Sequence, residues 1–188
     1  MKKRGIIVGV ILVVAIVIAT ILGMSYNGMV TKSEEVDTKF SNIDTLLQRR
    51  ADLIPNLVNT VKGYTNQEKE VIEAVTDARS KLAGANTVKE KAKVDGEISS
   101  ALQRLLVVVE NYPDLKASQN FIQLADELAG TENRIAIARK DYNDAVKAYN
   151  LKVKRFPGNL LARMFEFGQK PYFEASEGST EVPNVSFE

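Results

Sequence analysis

Two absences limit the chemistry that the side chains of this sequence can perform. The 188 residues contain no His and no Cys. Zinc sites of the usual kind, Ser–His and Cys–His dyads and disulfides are therefore excluded. Carboxylate, Lys, Tyr and Ser–Lys chemistry remain, and the sequence has no Gly-rich phosphate loop. We predict a protein that is not an enzyme and that uses no metal or cofactor, and we keep an enzyme of unknown class as the last alternative.

One set of polar side chains has a spacing that could form a site. Its members follow one another at steps of seven, four and seven residues, which places them on one face of a helix. They are Glu132, Arg139, Asn143 and Asn150. The polar stretch between the first two predicted helices adds Arg49, Arg50, Asp52 and Asn56.

These eight residues have two interpretations. One is a polar network inside a helical bundle, where Arg and carboxylate side chains pair and fix the register of the helices, because buried charges need partners. The other is a groove that binds a ligand or a partner peptide. We prefer the network and keep the groove as the alternative.

Three other patterns are assigned to packing or to solvated surface. Tyr64, Tyr142 and Tyr149 could line an aromatic ligand site, but at helical spacing we expect core positions. The alternating charges of residues 89–95 predict a solvated face. The apolar run 105–109 is wider than one bundle seam requires, so it is either buried on two sides, which we prefer, or an exposed patch for self-association or a partner.

A long helix is predicted over residues 115–156, and we call it the spine helix. It must position the four polar side chains Glu132, Arg139, Asn143 and Asn150. Large apolar residues recur in it at every seventh position beside a row of small ones. A helix of about 40 residues is roughly 60 Å long, and its apolar seam must be covered by other helices. The large residues are Phe121, Leu128, Ile135, Tyr142, Tyr149 and Phe156.

An amphipathic helix is predicted from Met29 to about Arg50, followed by a break at Pro55. Pro removes a backbone donor and disfavours helical angles at Ile54, the residue before it. One kinked helix that continues through Pro55 is the alternative, since the apolar row stays in phase across it.

Two more helices precede the spine helix. The apolar spacing from Leu57 to Leu82 predicts the first of them, with a stop signal at Gly84. Thr87 and Glu90 have the spacing of a capping box at the start of the second. The fold class is therefore all-α, an antiparallel up-and-down four-helix bundle over residues 25–173, with a short helix near residues 160–167 that covers one end.

Residues 5–24 are 20 uncharged, almost wholly apolar residues, enough to cross the hydrocarbon core of a bilayer. We predict an uncleaved transmembrane helix, because the stretch is longer than a usual secretory signal and no cleavage site follows it. The basic tail, residues 1–4, predicts a cytoplasmic N-terminus and an extracytoplasmic bundle. Residues 174–188 are rich in Ser, Glu, Gly and Pro, and we predict that they are disordered.

Several stretches resemble the signature of the LemA family. Residues 49–58 read RRADLIPNLV, residues 61–64 read VKGY and residues 128–135 read LAGTENRI. The resemblance covers roughly residues 1–174. It implies a bacterial inner- or cell-membrane protein with one N-terminal helix, a helical-bundle body and no assigned reaction. Further matching pairs are Ala78-Arg79, Ala138-Arg139, Tyr142-Asn143 and Phe156-Pro157.

The predicted function is a non-catalytic interaction or scaffold module tethered to the bacterial cell envelope. Its expected partners are the lipid bilayer, through residues 5–24, and a protein partner or a second copy of the chain. A net charge of +1 gives no reason to expect nucleic acid. Some members of the family that the sequence resembles are encoded beside a membrane metalloprotease, so an accessory factor or adaptor of a membrane protease is the first alternative.

Overall fold

The structure, a computed structural model, describes residues 2–65 and 67–174. The secondary structure of these residues is helical, which confirms the all-α prediction. The predicted disorder of residues 174–188 falls, after Glu174, outside the described residues. The helices are α1 (Lys2–Lys62), α2 (Lys69–Gly84), α3 (Val88–Val109), α4 (Pro113–Lys116), α5 (Gln119–Lys154) and α6 (Gly158–Met164).

The described chain divides into two compact units. Unit 1 contains residues up to Phe40 and residues Asp141–Lys170. Unit 2 contains Ser41–Lys140 and the residues from Pro171 onward. The long helices α1 and α5 each contribute one part to either unit.

α1 carries the candidate membrane span and continues without interruption to Lys62. It is the one described helix that is long and apolar enough to cross a membrane, and the window that qualifies has none of its surface buried. The prediction of a break at Pro55 is wrong, because Pro55 lies inside α1.

A contact from another helix explains why α1 tolerates Pro55. Proline has no backbone N–H, so the carbonyl four residues earlier, that of Ala51, loses its helical donor. The Arg79 side chain of α2 supplies the missing donor, with Nε 2.9 Å from the Ala51 oxygen. A buried carbonyl without a partner is costly, and this hydrogen bond removes that cost.

The second predicted helix begins later in the chain than expected, whereas the third predicted helix is present as α3. α1 ends at Lys62 in a turn where Gly63 N–H bonds the Asn59 and Thr60 carbonyls, and α2 begins only at Lys69. The continuous helix expected from residue 57 to residue 82 is therefore wrong, whereas the end at Gly84 is confirmed.

Both halves of the predicted capping box are formed. The Thr87 hydroxyl accepts the Glu90 N–H at 3.1 Å, and the Glu90 carboxylate accepts the Thr87 N–H at 3.0 Å. These bonds satisfy backbone donors that the first turn of α3 leaves without helical partners.

The spine helix is shorter than predicted at both ends. Its first turn is a separate helix, α4, and the continuous helix α5 runs from Gln119 to Lys154. Phe156 lies beyond α5 and is 79% exposed, so it does not extend the seam. The five earlier large residues of the heptad row are buried: Phe121, Leu128, Ile135, Tyr142 and Tyr149.

Unit 2 is built from four long helical segments, namely the C-terminal part of α1, α2, α3 and the N-terminal part of α5, and it also contains the short helix α4. Asp44 pairs with Lys91, and further along α1 Arg50 pairs with Asp95. The later residue of α1 pairs with the later residue of α3, so the two helices run parallel, as alternate helices of an up-and-down bundle do.

Unit 1 packs the membrane-proximal part of α1 with the end of α5, α6 and the chain up to Lys170. Met29 and Val36 on α1 and Tyr142, Val146 and Tyr149 on α5 are buried in it. The Tyr142 ring lies 5.7 Å from the Phe40 ring, centre to centre. Apolar side chains from both long helices therefore form the core of this unit.

The contact between Arg79 and Ala51 predicts a dependence between two substitutions. Arg79→Met should lower the free energy of unfolding by about 1–3 kcal/mol, because it leaves a buried carbonyl unpaired. In a Pro55→Ala background the backbone N–H of residue 55 bonds that carbonyl, so the same change should cost much less. Denaturant unfolding of the four proteins in detergent measures the difference; an equal cost in both backgrounds would contradict the assignment.

Candidate functional site

A fully buried carboxylate, Asp95 of α3, lies at the centre of unit 2 with 0% of its surface exposed. The Arg50 guanidinium of α1 donates to its Oδ1 at 2.8 Å. The Arg139 guanidinium of α5 pairs with the other oxygen, Oδ2. One carboxylate thus contacts guanidinium groups from two different helices.

Two further groups complete this arrangement, which we call the charge cluster: Arg50, Asp95, Ser99, Glu132 and Arg139. Arg50 also pairs with the Glu132 carboxylate of α5 at 2.7 Å. Its Nη1 and Nη2 atoms both lie 3.1 Å from the Ser99 hydroxyl oxygen. Two guanidinium groups therefore balance two carboxylates. Arg50 and Asp95 are buried, whereas Glu132 and Arg139 are partly exposed, and the pairing lowers the cost of burying the first two.

Burial and neighbouring charge act on the two arginines of the cluster. Burial lowers the pKa of Arg50, and the negative charge of Glu132 opposes that effect. Burial also lowers the pKa of Arg139, and the positive charge of Arg50 adds to the effect. The Arg139 guanidinium also lies over the Phe173 ring, 5.2 Å from its centre, where the ring face attracts a cation.

Three of the eight residues that the sequence singled out belong to the charge cluster: Arg50, Glu132 and Arg139. Of the others in unit 2, Arg49 is about half exposed and lies 3.8 Å from Glu127. Asp52 is exposed and accepts a hydrogen bond from Gln48 at 2.8 Å. Asn56 is exposed, so these three side chains lie outside the cluster.

The central residue of the cluster, Asp95, is not among the eight residues that the sequence singled out. Asp95 was predicted to be solvated because charges alternate along residues 89–95, and that prediction is wrong. Asp95 lies three residues after Ala92 and three before Ile98, and both neighbours are buried. The helical period, rather than the local alternation, decides which face a residue occupies, and it places Asp95 and Ser99 toward the core.

The remaining two candidates lie in unit 1. The Asn150 side chain donates to the Lys170 carbonyl and accepts the Lys170 N–H, both at 2.9 Å. The Tyr149 hydroxyl donates to the Gly168 carbonyl at 3.0 Å. These contacts fix the chain that follows α6 against α5. Asn143 is partly buried.

A surface groove of about 420 Å³ lies in unit 2 between α1 and the start of α5. Its lining is mostly side-chain amides, and we call it the amide groove. Asn56, one of the predicted site residues, is part of it. The groove is lined by Asn56, Asn59, Thr60, Asn120, Gln123, Leu124 and Glu127.

The apolar run of α3 is only partly buried. Leu105 and Val109 are buried, but Leu106 is 45% and Val107 69% exposed. The preferred prediction, burial of the run on two sides, is therefore wrong. The helical period turns the middle of a five-residue run away from the seam that its two ends occupy.

Comparison with known proteins decides the family. A model of the LemA family matches residues 39–187. The chain belongs to the LemA family. Its relatives include magnetosome protein MamQ 2 of Paramagnetospirillum magneticum, which is 31% identical over 94% of this chain and 74% of that protein.

Two other relatives support the same assignment. MamQ of Magnetospirillum gryphiswaldense is 27% identical over 87% of this chain and 70% of its own length. Protein LemA of Metamycoplasma hominis is 28% identical over 80% of this chain and 69% of its own length. The resemblance stated from the sequence is confirmed, and the LemA-family chain is a membrane protein with one candidate N-terminal span.

The three tyrosines that could line an aromatic ligand site differ in their burial. Tyr64 is 49% exposed, whereas Tyr142 and Tyr149 are buried in unit 1. The expectation of core positions is therefore confirmed for the latter two only. Burial raises the pKa of Tyr142 to about 12, and the negative charge of Asp37 contributes to the rise.

This raised pKa of Tyr142 predicts a loss of stability at alkaline pH. Above pH 10 the phenol ionises in the unfolded chain but keeps its proton in the folded one until about pH 12. The unfolded state then binds fewer protons, so the free energy of unfolding falls as pH rises through this window, by about 2–3 kcal/mol.

Tyr142→Phe tests this effect because it removes the titrating group and keeps the ring. Unfolding by denaturant should be measured for both proteins at pH 8, where the phenol is neutral in both states, and then between pH 10 and 12. The variant should lose less free energy of unfolding than the parent over the alkaline window. Parallel losses in the two proteins would refute the prediction.

Proposed function

We propose that this LemA-family chain is a non-catalytic interaction module of the bacterial cell envelope, and that its amide groove binds an extended segment of a partner protein. The observation that carries the proposal is the chemistry of the groove. Asn56, Asn59, Asn120 and Gln123 bring four side-chain amides to one concave surface.

Side-chain amides suit the backbone of an extended peptide. Each amide has one acceptor oxygen and an NH₂ group with two donors, so it can pair with both the N–H and the C=O of a peptide unit. A groove of about 420 Å³ has the volume of a small ligand site. Its polar lining favours backbone recognition over the binding of an apolar side chain.

Glu127 adds a charged position at the edge of the amide groove. Its partner Arg49 is 3.8 Å away, and both side chains are about half exposed. An exposed pair at this distance contributes little to stability. A basic side chain on the partner can therefore replace Arg49 at small cost, which favours a segment that carries Lys or Arg.

The charge cluster supports the same proposal by holding the walls of the groove. Arg50 of α1 pairs with Glu132 of α5 at 2.7 Å, and these two helices supply the groove lining. Because the buried charges are paired with one another, we assign them to helix positioning rather than to chemistry on a substrate. A preorganised groove loses less entropy when it binds a flexible segment.

The membrane topology is part of the proposal. Lys2, Lys3 and Arg4 precede the apolar stretch, and the positive-inside rule then gives a cytoplasmic N-terminus in the inner membrane. The helical body, and with it the partner, would lie outside the cytoplasm.

Site-specific photo-crosslinking in native membranes tests the proposed function. A photoreactive residue at Asn59, in the groove, should give a discrete adduct, and one at Asn133, which is also exposed but does not line the groove, should not. Asn56→Ala should reduce the adduct about fivefold, the effect of losing about 1 kcal/mol of hydrogen bonding.

The identity of the adduct distinguishes the remaining alternatives. A membrane protease in the adduct would specify an adaptor role for the same groove, and a second copy of this chain would specify self-association through it. The same adducts from Asn59 and Asn133, or no adduct from Asn59, would overturn the proposal.

A further inference from the structure

The short helix α6 has large apolar side chains on its exposed side as well as on its buried side. Gly158, Leu161 and Ala162 are buried within unit 1. On the other side Leu160 is 50% and Met164 72% exposed. Arg163 is the third exposed residue of α6, so two of the three are large and apolar, whereas the outer face of a helix in water is mostly polar.

The residues on either side of α6 enlarge the exposed apolar surface. Phe156, just before the helix, is 79% exposed, and Phe165, just after it, is 52% exposed. Together with Leu160 and Met164 they are four large apolar side chains within ten residues. Large apolar side chains exposed so close together in the chain are typical of contact with another protein or with a membrane.

Contacts with α1 locate this surface relative to the membrane span. The Tyr26 ring lies 4.9 Å from the Phe165 ring and 5.6 Å from the Phe167 ring. Tyr26 is two residues beyond Met24, the end of the apolar stretch, and at 1.5 Å per residue it lies about 3 Å past it along α1.

The start of α6 lies only slightly further along α1. A Cβ atom at position 158 would lie 3.8 Å from the Met29 sulfur, and Met29 is about 7.5 Å past Met24 along the helix. The headgroup region on each side of a bilayer is about 5–8 Å thick. α6 therefore lies at the level of the headgroups when the span occupies the hydrocarbon core.

The charge of the segment fits the same location. Residues 151–165 contain four basic residues and no Asp or Glu. Basic side chains beside exposed Phe and Leu are typical of segments that lie in the membrane interface and contact anionic lipids. The basic residues are Lys152, Lys154, Arg155 and Arg163.

We propose that residues 156–165, which we call the interfacial segment, form a second membrane contact beside the span, with their apolar side chains inserted at the surface of a bilayer that contains anionic lipid. Continuity with the span identifies the occupant as lipid, because the ring contacts of Tyr26 bring this segment to the end of the membrane helix. The contact goes beyond the proposed partner-binding function: two attachment points fix the tilt and rotation of α1, which one helix alone does not.

Spin labels on single cysteines of the 188-residue chain test the interfacial segment, since this sequence has no Cys of its own. The labelled position is Met164→Cys. Val107→Cys is the matched control, because Val107 is also apolar and is 69% exposed, against 72% for Met164. Val13→Cys, inside the span, is the reference for contact with lipid.

Each labelled protein is reconstituted in phosphatidylcholine vesicles with and without phosphatidylglycerol, and its accessibility to oxygen and to a water-soluble nickel complex is measured. The oxygen-to-nickel ratio at Met164→Cys should be several-fold above that at Val107→Cys and should approach that at Val13→Cys. It should rise further when phosphatidylglycerol is present, because Arg163 in the segment and Lys152, Lys154 and Arg155 just before it attract anionic lipid.

Three results would overturn the inference. A ratio at Met164→Cys equal to that at Val107→Cys, with Val13→Cys in lipid, would place the interfacial segment in water. Spin–spin broadening at Met164→Cys that disappears on dilution with unlabelled protein would show that a second copy covers it. A label at Val13→Cys that is exposed to water would show that the predicted span does not lie in the bilayer. None of these results depends on the adduct at Asn59, so the two proposals fail separately.

Discussion

One turn of α1 joins that helix to the other three long helical segments of unit 2. Arg50 pairs with Asp95 of α3 at 2.8 Å and with Glu132 of α5 at 2.7 Å. The next residue, Ala51, presents the carbonyl that Pro55 deprives of its helical donor, and Arg79 of α2 bonds it at 2.9 Å. Two adjacent residues, Arg50 and Ala51, thus make contacts with three helices, and these contacts satisfy groups that are costly to bury alone.

These polar contacts and the apolar seam have different effects. Burial of Ile54, Ile98 and Ile135 stabilises the bundle in proportion to the area removed from water, but apolar contacts tolerate sliding of one helix along another. A buried ion pair contributes little net stability, yet it is satisfied in one geometry only. We infer that the charge cluster fixes the register of α1, α3 and α5, while the apolar residues supply most of the free energy.

The parts of the fold that could be predicted are those set by local pattern. The seam from Phe121 to Tyr149 follows from its seven-residue spacing, and the start of α3 follows from the capping box of Thr87. Pro55 could not be placed in this way. Its local signal is a break, and the donor that allows the helix to continue comes from Arg79 in another helix. Such a tertiary hydrogen bond leaves no trace in the sequence near the proline.

The candidate site was predictable to the extent that its residues lie on one helix. Glu132 and Arg139 are seven residues apart, so the sequence puts them on one face, and the structure brings both to the charge cluster. Asp95 was missed because its charged neighbours suggested a solvated stretch, although its spacing from Ala92 and Ile98 indicated the core. A charged residue at an apolar position of a helical repeat is the signal that would have found it.

A double-mutant cycle between Arg50 and Asp95 measures the coupling of α1 to α3 most directly. The free energy of unfolding is determined for the parent, Arg50→Met, Asp95→Asn and the double variant, with Lys81→Met and Glu97→Gln as the matched cycle on an exposed pair that is 2.7 Å apart. The buried pair should show a coupling above about 1.5 kcal/mol, and the exposed pair below about 0.5 kcal/mol. A buried coupling no larger than the exposed one would contradict the role assigned to the charge cluster.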